Sequence, residues 1–118
     1  MKNRPLHERL LFALNGLGAA WRRERSFRVQ TVVAILAVII LIALHPPLIW
    51  WAVVAVMISL VLAVELMNSG LEALVDLLHP GHHPEIRLIK DMTAAGVLLA
   101  SIGALVVGGL MLLAVLWQ

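Results

Sequence analysis

The residues best placed to do chemistry in this sequence are Glu65, Asn68, Glu72 and Asp76, within Val64-Glu65-Leu66-Met67-Asn68-Ser69-Gly70-Leu71-Glu72-Ala73-Leu74-Val75-Asp76. At about 100° per residue, the four fall in a narrow arc of one helical face. Three acids on one face repel one another unless a cation or protons sit among them. Magnesium takes oxygen ligands of this kind, commonly one or two carboxylates together with substrate phosphates. Glu72 and Glu24 would make such a site if packing of the first and second spans brings them close. Lys90, next to Asp91, would place a positive charge on a phosphate. Glu65, in low-dielectric surroundings, is suited to accept a proton as a general base. By residue type alone, a polar network between helices and a relay for protons or cations stand beside this reading. His79, His82 and His83 read as solvated residues of a Pro-rich turn rather than as zinc ligands. The sequence has no phosphate-binding G-x-x-x-x-G-K-[ST] loop, no dinucleotide fingerprint and no Ser-His-Asp arrangement.

These side chains sit at the end of a long apolar helix. From Leu48 to Val64 the only hydroxyl, amide or charge is Ser59. The chain of 118 residues is 62% hydrophobic and 14% charged, far more apolar than a soluble domain, where roughly 45–50% is usual. It reads as one integral membrane domain over residues 1–118. The absence of cysteine excludes disulfides and thiol chemistry. Leu48 to Glu65 is about 26 Å of helix, against a hydrocarbon core about 30 Å thick. Glu65 is therefore expected just inside a membrane boundary, with Glu72 and Asp76 beyond it. Carboxylates at such a level are costly and tend to mark function.

Residues 4–27 read as an amphipathic helix. Leu6, Leu10, Leu14, Leu17 and Trp21 recur at helical spacing, and Asn3 and Pro5 supply start signals. With arginines on its other face, this helix is expected on the membrane surface, weakened toward a bend at Gly16 and Gly18. The first span is expected over 29–44, its helix beginning earlier, near Arg23, with Glu24 close to the membrane surface, and it ends at His45-Pro46-Pro47. The second, with its polar extension, covers 48–78, and the third covers 85–117 after a turn at His79-Pro80-Gly81-His82-His83-Pro84. Gly96, Ala100, Ala104 and Gly108 form a small-residue repeat suited to close helix packing. Lys2, Arg4, Arg9, Arg22, Arg23, Arg25 and Arg28 precede the first span, Arg87 and Lys90 follow the second, and the Pro-Pro turn has no Lys or Arg. The positive-inside rule then puts the N-terminus and the 79–90 loop in the cytoplasm and the C-terminus on the other side. The first apolar run begins behind a long polar segment with no small-residue cleavage site after it, so a cleaved leader is not expected.

The Glu65–Asp76 segment resembles the signature of the prokaryotic diacylglycerol kinase and undecaprenol kinase family. His82-His83-Pro84 and Lys90-Asp91-Met92-Thr93-Ala94-Ala95-Gly96-Val97 resemble its second block. Ala20-Trp21-Arg22-Arg23-Glu24-Arg25-Ser26-Phe27-Arg28 resembles its approach to the first span. The likeness covers nearly the whole chain. It implies an all-α integral membrane protein of the bacterial cytoplasmic (inner) membrane, with an N-terminal amphipathic surface helix and three transmembrane helices, assembled as a homotrimer with active sites between subunits. It also implies transfer of the γ-phosphate of ATP to a lipid hydroxyl, with Mg2+. A diacylglycerol-type acceptor is the first expectation and undecaprenol the alternative.

By this resemblance Glu65 is the catalytic base, and Glu24 and Glu72 hold magnesium with ATP. Lys90 and Asp91 lie at the nucleotide phosphates, and Asn68 and Asp76 are polar residues needed for activity. Gly81, His82 and His83 approach the nucleotide, and Phe12 occupies the place of an aromatic near adenine. Arg9, Phe27 and Arg28 fall on the lipid side. Gln30 stands where an acid or histidine often follows the Phe-Arg pair, near the lipid substrate. No nucleic-acid partner is expected. A small ion-coupled transporter would need acids near the membrane midplane, whereas the helix count puts them at its edge. A purely structural membrane subunit would use the acids for assembly alone.

Overall fold

A chain this apolar satisfies its backbone polar groups within helices, since hydrocarbon offers them no other partner. The computed structural model describes residues 2–118 as four helices: α1 (Leu6–Arg23), α2 (Arg25–Leu44), α3 (Leu48–Leu78) and α4 (Pro84–Leu116). The last three are each long and apolar enough to cross a membrane. α3 is the central element, packed most extensively against α4 and then against α2, while α1 touches α2 and α3. The molecule is 55 Å long and only 23 Å thick.

The surface helix ends before the expected residue 27, while the helix of the first span starts at Arg25, close to the expected Arg23. α1 stops at Arg23, α2 begins at Arg25, and Glu24 alone is extended between them (φ −111°, ψ 107°). Arg28 accounts for the shift. Its Nη1 donates to the carbonyls of Trp21 (2.8 Å) and Arg22 (3.3 Å), acceptors that the end of α1 leaves open. α1 passes through Gly16 and Gly18 without interruption, so helical hydrogen bonding there outweighs the poor propensity of glycine.

The other ends fall close to expectation. His45 closes α2 in the left-handed conformation (φ 48°), with its N–H on the carbonyl of Leu41 at 2.9 Å. Pro46 and Pro47 then prevent continuation. α3 occupies the expected 48–78. α4 starts one residue earlier and ends one earlier than 85–117, and the Nδ1 of His83 accepts from the Glu85 N–H at 3.1 Å to cap it.

The buried cluster of Leu41, Val54 and Met111, with Trp50, Trp51 and Ile58 packed on it, fills the end of the bundle near the Pro-Pro turn. Close packing on α3 involves Gly96 from the small-residue repeat and Gly103 from outside it. A Cβ on Gly96 would meet Val64 at 3.8 Å, and one on Gly103 would meet Met57 at 3.2 Å, so these two glycines face α3. A Cβ on Gly108 would meet nothing within 4 Å. Ala104 and Gly108 line an apolar cavity of about 590 Å³ bordered by α2, α3 and α4.

Candidate active site

At the end of the bundle away from that core, one polar side chain is fully enclosed. Glu65 is 2% exposed, the sole buried charged or polar residue among those described. Its position on α3 opposite the first turn of α2 explains the burial. Ser26, the second residue of α2, donates its hydroxyl to Glu65 Oε1 at 2.5 Å. Glu65 Oε2 is equally enclosed and has no partner, and Asn68 Oδ1, one turn along, is in the same condition. Buried polar atoms are nearly always paired. Two orphan acceptors three residues apart on one face therefore mark a place suited to a donor from outside the chain.

Further along α3 the stripe becomes exposed. Glu72 is half-buried and Asp76 exposed. Lys90 on α4 donates to Asp76 Oδ1 at 2.5 Å, which brings the cationic head to the end of the stripe, one turn beyond Glu72. Glu24, half-buried, is two residues before Ser26 on the same side of the bundle. Neither Glu24 nor Glu72 has an ion-pair partner among the described residues.

The remaining expected site residues are more scattered. Asp91 pairs with Arg87 on its own helix at 3.3 Å. Gly81, His82 and His83 are exposed in the turn between α3 and α4, where the rings of His79 and His83 meet edge to face at 5.8 Å. Arg9 and Phe12 lie exposed on α1. Phe27 is 5% exposed and packs inside the bundle, and Arg28 closes the α1–α2 elbow. Ser26 was not among the residues singled out by sequence, since its one signal is a lone hydroxyl between Arg25 and Phe27. Gln30 stood out by type, and here its Nε2 donates to Ser101 on α4 at 3.2 Å.

Comparison with known sequences decides the family. The profile of the family described as prokaryotic diacylglycerol kinase matches residues 11–112. The chain belongs to the prokaryotic diacylglycerol kinase family. The family is one of lipid kinases. A diacylglycerol kinase of Escherichia coli K12 is 37% identical over 95 residues, 80% of this chain and 78% of that protein. One from Synechocystis is 37% identical over 103 residues, 86% of this chain; the match spans 59% of that longer protein. An undecaprenol kinase of Bacillus subtilis is 28% identical over 98 residues, 83% of this chain and 80% of its own length.

Proposed function

We propose that the protein transfers the γ-phosphate of ATP, supplied with magnesium, to the hydroxyl of a membrane lipid, with Glu65 as general base. The observation that carries this reading is the enclosed Glu65 carboxylate, one oxygen held by Ser26 and the other without a partner. The lipid O–H gives its proton to Glu65 Oε2. A bond forms between the lipid oxygen and the γ-phosphorus as the bond from that phosphorus to the β–γ bridging oxygen breaks. The bonding pair leaves with ADP, and Glu65 later releases the proton to water. Asn68 Oδ1 accepts from the lipid headgroup and fixes its approach.

Magnesium belongs to this scheme as part of the nucleotide substrate. Among the described residues no three His, Cys, Asp or Glu side chains converge to hold a resident ion. Two unpaired carboxylates, Glu24 at the α1–α2 break and Glu72 on α3, suit an ion that keeps phosphate ligands of its own. Lys90 exchanges part of its contact with Asp76 for the phosphates, and Asp91, Gly81, His82 and His83 border their path from water. Positioning and charge stabilisation then supply most of the catalysis.

A diacylglycerol-type acceptor is favoured, with undecaprenol as the second reading because one relative carries that name. The depth of Glu65 supports a lipid over a soluble acceptor: a headgroup hydroxyl reaches that level, while ATP meets Glu72 and Lys90 from water. The protein is read as a homotrimer of the bacterial cytoplasmic membrane, with N-terminus and 79–90 turn in the cytoplasm and α1 on its surface. The deciding experiment is transfer from labelled ATP to each lipid in mixed micelles. Phosphorylated diacylglycerol is expected, and no transfer to any lipid alcohol would overturn the reading.

A further inference from the structure

We propose that Ser26 is a positioning residue for the base: its hydroxyl anchors Glu65 Oε1 so that Oε2 is the oxygen presented to the lipid alcohol. This rests on Glu65 being the base. A glutamate has three side-chain torsions, the last of them broad and roughly two-fold, so an unanchored carboxylate exchanges its two oxygens and drifts in direction. The donor that breaks this equivalence comes from 39 residues earlier in the chain. Ser26 is the second residue of α2, and the extended Glu24 sets how that first turn meets α3. The elbow that aims Ser26 is itself fixed, because Arg28 ties α2 to the last carbonyls of α1.

The asymmetry of the carboxylate is what carries the inference. Both oxygens are enclosed, yet one has a donor at 2.5 Å and the other has none. A hydroxyl serving only to compensate a buried acid would leave no reason for the second oxygen and Asn68 Oδ1 to remain unpaired one turn apart. Arranged this way, the anchored oxygen is spent on orientation and the two open acceptors face the same incoming donor. Ser26 acts through its hydrogen bond to Glu65.

The test uses four variants of the full chain in mixed micelles: Ser26→Ala, Ser26→Val, Ser26→Thr and, as a control on the base, Glu65→Gln. Thr and Val have nearly the same shape and differ in the hydroxyl. Losing a hydrogen bond to a charged group is expected to lower kcat about ten-fold in Ser26→Ala and Ser26→Val. KM for ATP is expected to stay within about two-fold and Ser26→Thr to recover most of kcat, because orientation alone is disturbed. Equal kcat in Ser26→Thr and Ser26→Val would overturn the role of the hydroxyl, whether both are active or both impaired. A loss confined to KM for ATP would also overturn it. Glu65→Gln separates the two claims: if that variant turns over normally the base assignment fails, whereas an inactive Glu65→Gln beside a fully active Ser26→Val refutes the positioning role alone.

Discussion

Glu65 Oε2 and Asn68 Oδ1 are enclosed and unpaired, a condition that costs stability unless a ligand uses it. An unpaired buried acceptor costs about 1–3 kcal/mol. Replacing Asn68 with Leu removes one such atom at similar volume. The variant should unfold at the same or a higher temperature than the parent in detergent while its phosphoryl transfer falls. A lower midpoint would mean that Asn68 has a structural partner. Glu65→Gln keeps the shape and most of the hydrogen bonding but cannot take the proton. Its turnover should fall by about 10²–10⁴-fold, the usual contribution of a general base, with nucleotide binding retained in a fluorescence titration. The Lys90–Asp76 pair belongs to another regime, because the side chain of Asp76 is 62% exposed. Exposed pairs contribute less than about 1 kcal/mol, so Asp76→Asn should leave the unfolding midpoint nearly unchanged. Any effect on the apparent KM for ATP then reports the freed lysine rather than a weakened fold.

At the scale of helices, the α3–α4 contact depends on where glycine lets backbones approach. A Cβ at Gly103 meets only the terminal methyl of Met57, at 3.2 Å. Met57 can turn aside, so Gly103→Ala should be nearly neutral in thermal unfolding. Gly103→Leu should destabilise by roughly 1–3 kcal/mol, as overpacked cores do. Gly108→Ala should be silent within one chain, since its Cβ points into open space. These outcomes also show what the sequence could convey. Spans and turns were legible because apolar runs, prolines and a basic N-terminus each have a direct physical meaning, and α3 falls where the run beginning at Leu48 and the polar stripe put it. That Gly103, outside the small-residue repeat, makes the tightest approach to α3 was not, because spacing alone does not say which neighbour a helix face meets. The break at Glu24 was hidden for a similar reason. It depends on Arg28 reaching back to Trp21 and Arg22, and no local propensity encodes that reach. The role of Ser26 is not encoded locally, because its partner Glu65 is 39 residues away in sequence. Glu65, Asn68, Glu72 and Asp76 were visible because one helix carries all four.

On the whole-molecule scale, the single chain leaves its site open on one side. Lys90 and Asp76 hold the outer end of the stripe, and Ser26 covers the inner end, but Glu24 and Glu72 remain half-buried without partners. Unpaired carboxylates gathered at one end of a bundle repel one another unless a cation or a partner surface sits among them. A second copy that covers them would complete the site and shield it. If neighbouring subunits of a homotrimer share each site, with the base from one and the phosphate-binding lysine from the next, two inactive variants can repair each other. Glu65→Gln subunits supply a working Lys90, and Lys90→Ala subunits supply a working Glu65. Random assembly of equal amounts in a ring of three leaves roughly a quarter of the sites with both intact groups. Co-purified mixed oligomers should therefore regain roughly a quarter of the parent activity, while either variant alone stays inactive. Mixtures no more active than the single variants, in particles shown by mass to contain both, would mean that each chain builds its own base and phosphate site. A partner would then serve only to cover the acids.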